Sequence, residues 1–269
     1  MPHEPRQASY GAAAEFSLAK AFDGKTALIT GATSGIGKAS ALAFARQGAA
    51  LSLIGRDEDR GAEVAEACVA IGARASFFRA DISNPGEIRA AVAFTLKTFG
   101  GLHIAFNNAG FQETRAALAE QSDEVFIKVF DTNVRSLFHA MKAEIAVMQD
   151  NGEGGVIVNN ASVSGLRNPN PGLALYSASK AAVLSMTRST AMEYAARGIR
   201  INAVSPGRVS TPMMLGSGIA DMKAVAAQLP MRRMGEPYEV AEAVVWLASN
   251  ASSFVVGHNL CIDGGFLAA

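Results

Sequence analysis

Short apolar runs alternate with longer helical stretches along most of this chain. The first run, Lys25 to Gly31 (KTALITG), is β-capable and ends at a glycine turn, and a helix through Gln47 follows it. Leu51–Ile54 reads as a second strand, and Asp57 is placed to cap a helix running to Ile71. Ala75–Phe78 gives a third strand, Asn84-Pro85-Gly86-Glu87 opens a helix to Phe99, and Leu102–Phe106 gives a fourth strand. A long helix is predicted over Ser122–Gln149, then a strand at Val156–Asn159. A helix from Tyr176 to Arg197, a strand at Ile199–Val204, a helix from Pro237 to Ser249 and a last strand within His258–Gly265 complete the series.

Strands that alternate with helices in this way predict an α/β fold, a parallel sheet covered on both faces. Right-handed crossovers then make it a single doubly wound, Rossmann-like domain. The length of 269 residues suits one such domain, assigned here to residues 22–269. Residues 1–21 form an Ala-rich extension, with a short helix expected at Ala12–Ala21. Thr211 to Gln228 breaks the pattern, being rich in Met and small residues (Met213, Met214, Gly216, Gly218, Met222). It reads as a lid over an apolar pocket, the alternative being an ordinary amphipathic surface helix.

Composition narrows the function. Hydrophobic residues make up 49% and charged residues 18% of the chain, which predicts a sizeable core. Lys+Arg and Asp+Glu both number 24, so no basic footprint for nucleic acid or an anionic membrane is expected. Cys68 and Cys261 lie far apart, and His3, His103, His139 and His258 form no metal pattern; reduced thiols and no metal are expected. No apolar run reaches membrane-spanning length, and the first twenty residues lack a secretory core, so a cytoplasmic address is expected.

The candidate chemistry begins at Tyr176-Ser177-Ala178-Ser179-Lys180. Four residues apart on a helix, the phenol and the ammonium share one face. The ammonium is then expected to favour the phenolate and lower the tyrosine pKa, fitting Tyr176 to exchange a proton near neutral pH. Upstream, Thr30-Gly31-Ala32-Thr33-Ser34-Gly35-Ile36-Gly37 stands between a strand and a helix. Glycines there let backbone N–H groups approach a pyrophosphate closely. The spacing departs from the general dinucleotide fingerprint GxGxxG.

With Asn107-Asn108-Ala109-Gly110, the strand and Ser/Gly loop Gly155–Gly165, and Pro206-Gly207, these motifs resemble the short-chain dehydrogenase/reductase family, from about Phe22 to Gly265. Thr30–Gly37 matches the family pattern TGxxxGIG at every fixed position. The resemblance implies a catalytic tetrad of Asn133, Ser162, Tyr176 and Lys180. Tyr176 would be the acid/base. Lys180 would tune it and bind the nicotinamide ribose, and Ser162 would hydrogen-bond the substrate oxygen. Asn133 would support a water relay behind Lys180. Ser162 is chosen over Ser164 because it lies three before Gly165. Gly31, Thr33, Ser34, Gly35, Ile36 and Gly37 would cradle the cofactor, and Asp81 and Ile82 would flank its adenine. Asn107, Ala109 and Gly110 would line the adenosine ribose side, while Pro206, Gly207, Val209 and Thr211 would stand by the carboxamide. Asn108 is read as holding neighbouring strands together.

The end of the second strand bears on the cofactor. NAD-preferring relatives carry an acid there, whereas this chain has Gly55 followed by Arg56, which suits a 2′-phosphate. NADP(H) is therefore expected, with NAD(H) through Asp57 as the alternative. The expected reaction interconverts a secondary alcohol and a ketone on a small molecule. A non-catalytic dinucleotide-binding scaffold or redox sensor is the rival from another class. An enoyl reductase would separate the tyrosine and lysine more widely. The resemblance also implies a homo-oligomer, a tetramer or dimer, packed through Ser122–Gln149, Tyr176–Arg197 and His258–Ile262.

Overall fold

The structure, a computed structural model, describes residues 20–168, 171–219 and 221–269. The reading of residues 1–21 as an extension, and the helix expected at Ala12–Ala21, therefore lie mainly outside the described residues. The first half runs β1 (Thr26–Thr30), α1 (Gly35–Arg46), β2 (Ala50–Gly55), α2 (Glu58–Ala70), β3 (Ala75–Arg79), α3 (Pro85–Phe99) and β4 (Ile104–Asn107). It continues with α4 (Asp123–Phe130), α5 (Ser136–Asp150), β5 (Gly155–Asn160), α6 (Ala174–Tyr194), β6 (Ile199–Pro206), α7 (Pro212–Leu215), α8 (Met222–Ala227), α9 (Pro237–Ala248) and β7 (Asn259–Ile262).

The strands form one seven-stranded sheet in the order β3-β2-β1-β4-β5-β6-β7, and every neighbouring pair is parallel. Parallel strands need crossovers, so helices cover both faces and the strands become apolar along their whole length. All five residues of β1 are buried. Successive side chains on a strand alternate faces: Ile29, Leu51 and Leu53 join Phe44, Val64, Val240 and Val244 beneath α1, α2 and α9. Leu28 and Ile54 face the other way, onto Val92, Leu137, Ile145 and Val183 of α3, α5 and α6. Among the described residues no helix is long and apolar enough to cross a membrane.

Caps fall where side-chain chemistry puts them. The Asp57 carboxylate accepts the Arg60 N–H at 3.1 Å, and the Asn84 side chain accepts the Gly86 N–H at 2.9 Å. One element differs from the sequence-based expectation. The single helix predicted over Ser122–Gln149 is α4 and α5 joined by a π turn at Asp131–Arg135. The turn coincides with Asn133, whose amide is engaged outside the helix by the Phe111 backbone and by Ser179. Thr211–Gln228, read from the sequence as a lid, holds two short helices, capped by Thr211 on Met214 N–H at 3.2 Å and by Asp221 on Ala224 N–H at 2.9 Å.

β1 has β2 on one side and β4 on the other, so the chain changes winding direction between β1 and β4. The loops leaving the carboxyl ends of these strands diverge there and open a crevice.

Candidate active site

A cavity of about 940 Å³ occupies that crevice, walled by the loops that follow β1 to β6. At its centre lies the Gly31–Gly37 turn. Gly31 and Gly35 adopt φ +64° and +51°, the left-handed region that glycine enters without strain. Gly37 has a different reason to lack a side chain: a Cβ there would run into the Gly31 carbonyl. The start of α1 is thereby drawn onto the loop, and its N–H groups open toward the cavity. Asn108 fixes the far wall. Its Nδ2 donates to the Thr30 and Gly31 carbonyls at 3.0 and 3.2 Å, and its Oδ1 accepts from Asn160 Nδ2 at 2.9 Å. The ends of β1, β4 and β5 are tied together by this one side chain.

Gly55, Arg56, Asp57, Arg60, Asp81 and Ile82 line one end of the cavity. Arg56 is 74% exposed and lies 4.0 Å from the Asp81 carboxylate. Burial opposes ionisation of Asp81, but two hydrogen bonds from Ser83 and the charges of Arg56 and Arg79 outweigh it and hold its pKa below the ordinary value. Gly55 is tightly enclosed. A Cβ at that position would meet the Thr33 methyl at 2.7 Å and the Phe77 ring at 3.4 Å.

Ser162, Tyr176 and Lys180 converge at the other end. Lys180 is 4% exposed, and its Nζ donates to the Asn160 carbonyl at 2.7 Å. Burial without an acid partner pulls its pKa down to about 8. The Tyr176 ring keeps some exposed surface, but its phenol oxygen is enclosed. Its pKa is raised, first by burial and further by the Glu113 charge, while a hydrogen bond from Ser162 pulls the other way. The expectation that Lys180 lowers the tyrosine pKa in this form of the protein is thus corrected. The ammonium stands 5.7 Å from the ring centroid, and burial of the phenol is the largest cause of the raised value. Ser162 Oγ also accepts the Ser164 N–H at 3.1 Å, which turns its hydroxyl toward Tyr176 and fixes the loop.

Most of the residues expected at the cofactor line this cavity: Gly31, Thr33, Ser34, Gly35, Ile36, Arg56, Asp81, Ile82, Ala109, Gly110, Pro206, Gly207, Val209 and Thr211. Three expected residues stand behind it. Gly37 packs against the turn. Asn133 is 3% exposed, and its Oδ1 accepts the Phe111 N–H at 2.7 Å while its Nδ2 donates to the Phe111 carbonyl at 2.8 Å and to Ser179 Oγ at 2.9 Å. Its side chain is fully used in locking the loop after β4 to α6. Asn107 was expected on the adenosine ribose side, but its Nδ2 donates to Glu144 at 3.0 Å and to Asn159 at 3.1 Å. The β4–β5 register sets Asn107 beside Asn159, and that pairing turns its amide away from the crevice.

Two acids escaped the sequence reading. Glu113, 2% exposed, accepts the Tyr176 backbone N–H at 3.0 Å and so holds the first turn of α6. Glu144, 1% exposed, borders a second cavity of about 30 Å³ with Asn107, Asn133 and Lys180. Burial raises its pKa to about 7, against the Asn107 hydrogen bond. A signal for Glu144 did exist: it stands on a helical stripe with Leu137, Ala140, Met141, Ile145 and Met148, all buried.

Comparison with known proteins adds to this geometry. A family model described as enoyl-(acyl carrier protein) reductase matches residues 31–267. An A-factor type gamma-butyrolactone 1'-reductase (1S-forming) of Streptomyces virginiae is 42% identical over 90% of this chain and 95% of its own. A cyclohexanol dehydrogenase of Acinetobacter is 39% identical over 93% of this chain and 97% of its own. The crystal structure of levodione reductase superposes with a TM-score of 0.88 at 33% identity, covering 92% of this chain and 99% of that one.

Proposed function

The chain belongs to the short-chain dehydrogenase/reductase family and is an oxidoreductase of hydroxyl and carbonyl groups, and from that premise we propose that it moves a hydride between NADP(H) and a secondary alcohol or ketone, with Tyr176 as the acid/base. One observation carries the reading. Ser162, Tyr176 and Lys180 meet at one end of a cavity whose middle is the glycine turn and whose far end holds Arg56. The residues present fit a dinucleotide, because Gly31 and Gly37, where a Cβ would strike the neighbouring loops, let the turn close tightly and set the start of the following helix at the cavity.

A bound nicotinamide supplies or accepts the hydride. The protein's residues manage the oxygen and the proton. Ser162 donates a hydrogen bond to the substrate oxygen as charge grows on it. Tyr176, kept protonated by its enclosure, gives that oxygen a proton in reduction and, in oxidation, must first lose its own proton so that the phenolate, with Lys180 beside it, takes the proton of the alcohol. Lys180 holds positive charge close to the phenol and stabilises it when ionised. Glu113, through the Tyr176 N–H, and Asn133, through Ser179, hold α6 in register for this exchange.

The test is a set of initial rates with NADPH and NADH across ketones, aldehydes, quinones and an enoyl thioester. The last covers the activity named by the family model, against which the Tyr-x-x-x-Lys spacing speaks. Asp57 already caps α2, which leaves Arg56 as the group suited to a 2′-phosphate. Arg56→Ala should raise KM for NADPH roughly tenfold or more and leave NADH nearly unaffected. Its exposure means that salt should weaken the effect. A wild-type preference for NADH together with a silent Arg56→Ala would end the NADP(H) reading.

The proposed assembly is a homotetramer. Phe126, Ile127 and Phe138 on α4 and α5 are 46%, 54% and 49% exposed, and Met192 on α6 is 75% exposed. Apolar side chains exposed on these three helices suit contacts between copies. Light scattering at micromolar concentration should give four times the chain mass, and a monomer mass would refute the assembly.

A further inference from the structure

The substrate end of the cavity carries positive charge with no ion-pair partner among the described residues. Arg208 follows Pro206-Gly207 at the end of β6, and Arg115 lies on the loop after β4. Both line the cavity with Ser162 and Tyr176. Among the described residues neither takes part in an ion pair. Arg115 Nη1 donates to the Pro171 carbonyl at 3.3 Å, but its Nε is buried without a partner. Arg208 is partly buried, and its side chain makes no hydrogen bond among the described residues. Burial and the nearby Arg115 charge both lower its pKa, so the two guanidinium groups sense each other.

The acids that border the cavity are committed elsewhere. Asp57 caps α2, Asp81 binds Ser83, and Asp131 lies 3.3 Å from Arg135. Glu113 does not line the cavity; its Oε1 accepts the Tyr176 N–H, and its Oε2 is buried without a partner among the described residues. Lys128 adds to the excess, its ammonium 4.3 Å from the centroid of the Phe111 ring. Half-buried like charges without a counterion are costly, and an incoming anion removes that cost.

We propose that Arg208 and Arg115 form a subsite for a carboxylate carried by the substrate, so that the enzyme prefers a hydroxy or keto acid over its uncharged counterpart. The proposal rests on the reaction assigned above. The position supports the substrate over the cofactor as the source of the anion. Arg115 packs beside Gly172, whose Cβ would come within 3.2 Å of Arg115 Cβ, on the segment leading into α6. The pyrophosphate belongs at the glycine turn. A guanidinium presents parallel N–H donors that match the two oxygens of a carboxylate.

The experiment compares 4-oxocyclohexanecarboxylate with its methyl ester, using wild type, Arg208→Leu, Arg208→Lys and Arg115→Leu. Wild type should favour the acid at least tenfold in kcat/KM. Arg208→Leu should bring the ratio near one by raising KM for the acid, and Arg208→Lys should keep part of it. Calorimetry with cyclohexanecarboxylate, which cannot react, gives a readout independent of turnover on the NADP⁺- or NAD⁺-bound protein; binding should be lost in Arg208→Leu. Equal treatment of acid and ester by wild type, or cyclohexanecarboxylate binding indifferent to both arginines, overturns the subsite. A rise in KM for NADPH that is equal with both ketones also overturns it, by giving Arg208 to the cofactor phosphates. If neither ketone is turned over but cyclohexanecarboxylate binding still needs Arg208, the subsite stands and the reaction assignment falls.

Discussion

Tyr176→Phe should lower turnover by about a hundredfold to ten-thousandfold while nicotinamide cofactor still binds. The substitution keeps the ring in its place on α6 and removes only the hydroxyl. Nothing else at that end of the cavity can replace it as a neutral proton donor. Lys180 is tied to the Asn160 carbonyl at 2.7 Å, and Ser162 is far too weak an acid. The raised pKa of Tyr176 keeps its proton present for ketone reduction, and in alcohol oxidation the same oxygen, once ionised, takes the substrate proton, so the loss should appear in both directions. Steady-state rates in both directions, with cofactor affinity from fluorescence titration, make the measurement. Turnover within a few-fold of wild type would remove Tyr176 from the chemistry.

Glu144→Gln should stabilise the protein at alkaline pH and lose that advantage in acid. The carboxyl is 1% exposed, and burial raises its pKa from 4.5 to about 7. Below about pH 4.5 it is protonated folded or unfolded and imposes no penalty. Between that pH and about 7 the folded state binds more protons than the unfolded one, so stability falls as pH rises. Above about 7 the full penalty remains, on the order of 3 kcal/mol for a shift of this size. Glutamine keeps the shape and the acceptor for Asn107 Nδ2 but cannot ionise. Urea denaturation at pH 5 and pH 8 should therefore show a variant advantage that grows by a few kcal/mol at the higher pH. An equal difference at both pH values would mean that Glu144 does not titrate in this range.

The two predictions lie on opposite sides of what sequence alone can reach. Tyr176, Lys180, Ser162 and the glycine turn are legible because their chemistry demands particular residue types at fixed spacings, and a strand-to-helix alternation places them. What Lys180 does to Tyr176 is not legible that way. Spacing brings the two onto one helix face but carries no measure of how deeply the phenol oxygen is enclosed, and enclosure decides the sign. Asn107 fails for another reason, since which way a strand-end side chain points depends on its neighbour in the sheet, here Asn159. The π turn at Asp131–Arg135 needs the Phe111 backbone as a partner for Asn133, a contact between residues far apart in the chain. Glu144 is an intermediate case: its place on an apolar stripe was visible, whereas its partner Asn107 was not.

The close fit around Gly55 constrains anyone who would redesign the nucleotide preference. The obvious exchange installs an aspartate at the end of β2, yet its Cβ would lie 2.7 Å from the Thr33 methyl, inside contact distance. Changing position 33 together with position 55 relieves that contact, with Thr33→Ser removing the obstructing methyl and keeping the hydroxyl on the turn. A library that varies both positions therefore gives an acid at position 55 room that a single-site library denies it.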